Sequence, residues 1–314
     1  MSLKSIVHKT IKHLILTVIP LTIFCSSFLT DKYKDVTYIS PTFLPTSNKI
    51  AILKNVNIYN ESSGAGGINT DDISSSWSLL EYDISTSAYT STPLPSISFN
   101  PFWMSKGITS ASDSFLTIIG NHQLFIFDLA KHTLKENPVD INLVNACSQY
   151  QSQNIIQIES DGPSYKLILR SVQSGVSNDL VGFANYFTTI AMPPVSNPRF
   201  SILSGSSIGF FNNLNDSLKI IPISANYVCA YDSNKIAAIQ STNEVSFFTV
   251  GMDSLLIDTT IVLSSSNPFS ISVSKSARYL VYQASYNARN GSIILRDMNS
   301  SKETVLFSKS HDSD

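Results

Sequence analysis

Beyond residue 30 the chain alternates short apolar runs with polar breaks. No stretch there keeps apolar positions at i, i+3, i+4 and i+7, the spacing of an amphipathic helix. The runs instead have the length of strands. One set is Lys49–Leu53, Phe115–Ile119, Ile155–Ile158, Phe200–Leu203, Ile236–Ile239 and Tyr279–Tyr282. A second set follows each of these after a turn: Trp77–Tyr82, Leu124–Phe127, Leu167–Leu169, Ile208–Phe211, Val245–Val250 and Ile293–Leu295. Weaker segments such as Ser217–Ile223 and Glu303–Phe307 close the pattern. Asp161-Gly162 and Asn290-Gly291 are hairpin turn pairs between strands of the two sets.

The pattern has a ruler. Asn100, Asn145, Asn185, Asn226 and Asn267 are separated by 45, 40, 41 and 41 residues, and each opens a short aromatic or small-residue run. Four short strands per 40–45 residues is the size of a propeller blade. The sequence therefore predicts an all-β fold, a six-bladed β-propeller of four-stranded antiparallel blades over residues 28–314. Blades start near 40, 100, 145, 185, 226 and 267, with Ser40-Pro41-Thr42-Phe43 standing in for the missing first Asn. Val36–Ile39 reads as a further strand just before blade 1. The polar, Gly-rich stretch from Asn60 to Ser76 reads as a long hairpin loop. A sandwich would lack the 40-residue period, and β-helix rungs are shorter.

Residues 1–27 stand apart. Lys4, Lys9 and Lys12 lead into the apolar stretch Leu14–Phe24, followed by Cys25, Ser26 and Ser27. That order is an export signal or N-terminal anchor. Eleven apolar residues fall short of the roughly 20 that span a bilayer. Cleavage after Ser27 and lipid attachment at Cys25 both remain open, and this segment is the expected membrane contact. Cys147 and Cys229 lie two repeats apart, at similar depth in non-adjacent blades. Disulfide bonding needs Cα atoms within roughly 7 Å. Two free, buried thiols are therefore expected, despite the export signal. Asn60, Asn215, Asn290 and Asn299 fit glycosylation acceptors, as would matter after eukaryotic secretion.

Charge narrows the chemistry. Only 14% of residues are charged and the net charge is -2, so no clustered basic surface for nucleic acid is expected. Gly205-Ser206-Ser207-Ile208-Gly209 matches a nucleophile-elbow pattern, but a strand follows where that motif needs a helix. No Cys or His pair has zinc-ligand spacing, and Asp71 with Asp72 falls short of a calcium loop, so neither metal nor cofactor is expected. The runs after each Asn should line the central channel, and they carry no Asp or Glu for acid–base work. The alternative is a propeller enzyme, a hydrolase or lyase, with Asp71, Asp72 or Asp232 on top-face loops.

The repeated asparagines have two readings. Asn caps turns and tolerates unusual backbone angles, so each would close the loop into the next blade. Alternatively, Asn100, Asn145, Asn185, Asn226 and Asn267 form a ring of amides at a channel mouth, with Trp103, Tyr186, Tyr227 and Phe269 supplying apolar contact.

Blade 1, Ser40-Pro-Thr-Phe-Leu-Pro-Thr-Ser-Asn-Lys-Ile-Ala-Ile-Leu53, and blade 6, Asn267-Pro-Phe-Ser-Ile-Ser-Val-Ser-Lys-Ser-Ala-Arg-Tyr-Leu-Val-Tyr282, resemble the repeat of TolB-like six-bladed propellers. Asp83, Asp128 and Asp297 fall where that family ends its third strand with Asp. The family's Pro-Asp-Gly turn is degraded throughout, for example to Pro45-Thr46-Ser47-Asn48. The resemblance implies an exported bacterial propeller, periplasmic or at the cell surface, that mediates protein contacts. The expectation is a non-catalytic, monomeric binding or scaffold module with a protein or glycan partner in the envelope.

Overall fold

The computed structural model describes residues 31–45, 47–64, 67–94, 107–112, 114–120, 123–137, 142–149, 154–184, 186–195, 200–205, 207–211, 217–265, 267–284 and 291–313. The 1–27 segment with Cys25, and also Asn100, Trp103 and Asn185, lie outside them.

Six antiparallel sheets form a six-bladed propeller. Blade 1 contains β1 (Asp31–Phe43), β2 (Lys49–Gly64), β3 (Gly67–Asp83) and β4 (Ala88–Pro93). Blade 2 contains β5 (Ile108–Ala111), β6 (Phe115–Gly120), β7 (Gln123–Asp128) and β8 (Thr133–Asn137). Blade 3 is β9 (Leu143–Ser148), β10 (Asn154–Asp161), β11 (Ser164–Ser171) and β12 (Ser177–Phe183). Blade 4 is β13 (Phe187–Ala191), β14 (Ser201–Gly205), β15 (Ile208–Phe211) and β16 (Lys219–Ile221). Blade 5 is β17 (Tyr227–Asp232), β18 (Lys235–Ile239), β19 (Glu244–Val250) and β20 (Leu255–Val262). Blade 6 is β21 (Pro268–Val273), β22 (Tyr279–Ala284), β23 (Ser292–Asp297) and β24 (Glu303–Ser308). The last strand, β25 (Ser310–Ser313), joins the first sheet, whose order is β25-β1-β2-β3-β4. No helix occurs among the described residues.

The core is six slabs between blades. Leu53, Trp77 and Leu79 of blade 1 pack on Leu116, Ile118 and Phe125 of blade 2. Equivalent clusters join blades 2 and 3, 3 and 4, 4 and 5, and 5 and 6. Phe43, Ile50, Ile52 and Leu80 of blade 1 meet Val281 and Ile293 of blade 6. Each blade is thus covered on both faces. Strands such as β6, buried at every position, therefore read as continuous apolar runs rather than alternating ones. The outer strands β4 and β20 are mostly exposed, which is why they read weakly.

Ring closure uses side chains. β1 and blade 6 belong to separate sheets. The Ser40 amide donates to Gln283 Oε1 at 3.1 Å, and the Phe43 amide donates to Ser272 Oγ at 3.0 Å.

Register aligns the blades more finely than the sequence does. Five inner strands leave one residue out of the pairing: in β17 it is Tyr231, near the strand end, and in the other four it is the second residue, Thr109, Val144, Thr188 and Phe269. The residues two positions before these last four bulges are Gly107, Asn142, Tyr186 and Asn267. Asn142, not Asn145, is therefore the counterpart of Asn267, and the asparagine ruler slips by three residues in blade 3.

Three sequence expectations are corrected. Residues 60–76 are largely strand: β2 and β3 run through the insertion, since a ribbon is held by backbone hydrogen bonds whatever its side chains. Val36–Ile39 and Ser40–Phe43 are one strand, β1. Its chain bends at Ser40, which has φ 54°. The inner strand of blade 2 is Ile108–Ala111, later than the run expected directly after Asn100, which lies outside the described residues.

The described residues fall into two compact units. The larger contains Val36–Asn55 and Ser76–Lys309. The smaller contains residues up to Asp35, Val56–Ser75 and Ser310–Asp314. Within the smaller unit Tyr33 stacks on His311 at 4.9 Å and on Tyr59 at 5.9 Å, and His311 Nδ1 lies 2.7 Å from Asp35 Oδ1.

Candidate functional site

A cavity of about 500 Å³ opens along the propeller axis, and all six blades contribute to its wall. Its lining comes from the inner strands and from the turns that follow them, including Thr42–Pro45, Thr109, Cys147, Met192, Tyr227–Ala230 and Ile271–Ser276.

Blade 6 supplies the most polar wall. β21 ends at Val273, and the chain turns through Ser274, Lys275 and Ser276 into β22. The Ser274 amide donates to Tyr279 O at 2.9 Å, and the Ala277 amide to Ser274 O at 2.8 Å. Blade 1 repeats this turn: Leu44 N to Lys49 O at 3.0 Å, and Ser47 N to Leu44 O at 3.3 Å. The degraded turn motif therefore keeps its backbone geometry. Ala277 sits at φ 55°, where glycine is at ease.

The hydroxyls divide by role. Ser272 Oγ accepts from the Phe43 amide at 3.0 Å, Ser274 Oγ from the Tyr279 amide at 3.0 Å, and Ser276 Oγ from the Arg278 amide at 3.4 Å. A hydroxyl that accepts a backbone N–H keeps its own proton to donate. Ser274 and Ser276 are 3.3 Å apart, so one of that pair's protons stays between them. On blades 1 and 2 Thr42 donates to Ser40 O at 3.5 Å, and Thr109 to Thr117 O at 3.3 Å. Lys275 carries the single formal charge in the described lining, and it forms no ion pair among the described residues. Burial raises the Tyr227 phenol above its ordinary range, helped by the neighbouring Cys229 and Cys147 thiols, so it stays protonated.

Cys147 and Cys229 are free, as expected. Cys147 is buried, while Cys229 keeps some accessible surface; both line the cavity. Burial pushes the Cys229 thiol up to about 12, although amides of Val273 and Ala237 partly oppose this. It is an uncharged thiol at neutral pH.

Of the described amide-ring residues, Tyr227 alone lines the cavity. Asn145 lies inside β9, 5% exposed; its Nδ2 donates to Thr188 O at 2.7 Å and its Oδ1 accepts from the Ala146 amide at 2.7 Å. It staples blade 3 to blade 4, as Gln283 staples blade 6 to blade 1. Asn226 and Asn267 are exposed, stand just before β17 and β21, and are not among the cavity-lining residues, although Tyr227 beside Asn226 is. Asn267 has φ 57° and its amide bonds to Thr242 O, and the Asn226 amide bonds to Ile239 O at 2.9 Å. Tyr186 is exposed and sits edge-on to Tyr165 at 5.6 Å. Phe269 is the bulge residue of β21.

The acids are scattered. Asp232 ends β17, so one inner strand does carry a carboxylate, but it caps the Ser233 amide at 2.7 Å. Asp72 accepts from Asn57 Nδ2 at 3.2 Å. Asp71, Asp72 and Asp232 are not among the cavity-lining residues. Gly205 and Gly209 flank the hairpin between β14 and β15. A Cβ on Gly205 would come 2.5 Å from Tyr186 O, and one on Gly209 2.9 Å from the Phe187 ring, so packing explains both glycines.

What sequence reading missed is the Ser272-Val-Ser-Lys-Ser276 wall. The signal was a hydroxyl at every second position ending an inner strand.

No family model matches the chain, and no curated protein matches it. Among solved structures, a chain of the "Crystal Structure of Mitotic Checkpoint Complex" superposes with a TM-score of 0.50 at 12% identity, covering 78% of this chain and 86% of that one. At that identity the likeness establishes the propeller fold and nothing finer.

Proposed function

We propose that the chain is a non-catalytic, exported β-propeller of the bacterial cell envelope, a TolB-like module that binds a protein or ligand partner. The observation that carries this reading is the axial cavity, whose described wall is hydroxyl, thiol, amide, aromatic and aliphatic groups with one ammonium. Such a wall positions and desolvates a ligand group, and rigid inner strands hold it ready. The basic lead and apolar run of residues 4–24 support export, and the resemblance of blades 1 and 6 supports the envelope assignment.

The test is photo-crosslinking from position 276 in envelope extract, followed by reconstitution with the purified partner. Binding that is reproduced with pure components and lost in Lys275→Glu supports the module. Turnover of a glycan or peptide, abolished by substitutions in the cavity wall, overturns the non-catalytic reading. Recovery of the chain from cytosol with residues 1–27 intact overturns export.

A further inference from the structure

We infer that the axial cavity is a receptor for a small organic anion, a carboxylate or phosphate carried on an apolar body, whose charged head sits against the blade 6 wall. This deepens the binding-module reading and rests on it.

The head group is set by which protons are free. On blade 6, Ser272 accepts from a backbone amide and keeps its proton. The Ser274–Ser276 pair does the same twice and holds one proton between its two oxygens. Lys275, an exposed residue between them in sequence, adds an ammonium with three donors and no acidic partner among the described residues. Donors therefore outnumber acceptors on this wall, and a group bearing only acceptor oxygens completes it. On the adjoining blades 1 and 2 the protons of Thr42 and Thr109 are already committed to carbonyls. The asymmetry orients the ligand.

The tail is set by the rest of the lining. Leu44, Ala191, Met192, Val228, Ile271 and Val273 offer aliphatic and thioether surface. Met192 adapts its shape to whatever body enters. A volume of about 500 Å³ is within the range of small-molecule sites. A free inorganic ion would leave that surface unused, so head and tail are both required.

The test uses the purified full chain and isothermal titration at constant ionic strength. The probes are 4-phenylbutyrate, its neutral amide, 4-phenylbutyl phosphate and inorganic phosphate. The acid should bind at least tenfold tighter than the amide, because ionised acceptors make the stronger hydrogen bonds. Inorganic phosphate should bind at least tenfold more weakly than the phenylbutyl phosphate. The phenylbutyl pair also distinguishes a carboxylate site from a phosphate site. Lys275→Gln should weaken the acid at least fivefold and leave the amide unchanged, while Lys302→Gln, an exposed lysine on another loop, should change neither. Equal binding of acid and amide, binding of neither, or an unaffected Lys275→Gln overturns the anion site. Those outcomes leave the partner reconstitution assay standing, so the two readings fail separately.

Discussion

The Ser40 amide and the Gln283 carbonyl oxygen, 243 residues apart in sequence, are 3.1 Å apart at the seam between blades 1 and 6. Gln283 is 1% exposed, so removing its amide strands a buried N–H. Gln283→Leu should therefore cost about 1–3 kcal/mol in urea unfolding. Native-state hydrogen exchange at the Ser40 amide should accelerate before that of β18, far from the seam. Equal acceleration at both places would mean the seam opens only with the whole ring.

Asn145 makes the same kind of bond between blades 3 and 4, to Thr188 O at 2.7 Å. Asn145→Ala should lose about 1–2 kcal/mol. Asn226→Ala should lie within about 0.5 kcal/mol of the parent, since Asn226 is exposed and its described bond is through the backbone. Denaturant melts of the two variants check the contrast. Similar losses would show that the repeated asparagines share one role after all.

A repeated turn offers stabilisation. Asp83, Asp128 and Asp297 each accept from the amides two and three residues on, at 2.8–3.2 Å. Four residues after each stands a non-glycine in the left-handed region: Ser87 at 57°, His132 at 52° and Ser301 at 56°. In blade 3 the same place is Gly175, at 72°. Glycine should relieve backbone strain at the other three. Ser87→Gly and Ser301→Gly should each gain about 0.5–1 kcal/mol, and Gly175→Ala should lose about 1 kcal/mol, read as thermal midpoints. His132 is a weaker candidate, because its ring packs on Phe127 at 6.1 Å.

Acid should loosen blade 6 through Glu303. Burial opposes ionisation of Glu303, but hydrogen bonds from Ser264, Arg296 and Tyr282 outweigh it and hold the carboxyl below the usual range. The bonds to Arg296 and Tyr282 are both 2.8 Å. A depressed carboxylate contributes stability that is fully present above its unfolded pKa of about 4.3 and lost as pH falls through the folded value. Glu303→Gln should cost about 3 kcal/mol at neutral pH, because the Arg296 charge loses its partner while 13% exposed. The variant's urea midpoint should also fall less between pH 5 and about pH 3. Parallel pH profiles for variant and parent would contradict this assignment.

How much of this was legible follows from where side chains face. Ile155, Ile156 and Ile158 are buried on both sides of β10, so composition alone marks that strand. Thr70 to Ser75 are exposed in β3, and polar residues in a ribbon carry no apolar signature, so they read as loop. Asn142 and Asn145 both fit a 40-residue spacing, and register alone separates them. The cavity wall escaped for a different reason. Thr42, Thr109, Met192 and Ser272 are ordinary residues taken from four blades, and the closed ring brings them together.

One contact near the closing seam reports on that ring most directly. Ser40 holds φ 54° within β1, and a Cβ built on Gly107 at the entry to blade 2 would lie 2.0 Å from Ser40 Oγ and 2.7 Å from Ser40 Cβ. Ser40 is thus wedged between Gln283 of blade 6 and Gly107 of blade 2. Gly107→Ala should cost about 1–3 kcal/mol by overpacking. Ser40→Gly removes both the clashing atoms and the backbone strain while keeping the amide that bonds Gln283. The double variant should therefore recover most of the loss, with a coupling of at least about 1 kcal/mol in a mutant cycle. Additive effects would place the cost of Gly107→Ala elsewhere, and would remove Ser40 as the link between the two neighbouring blades.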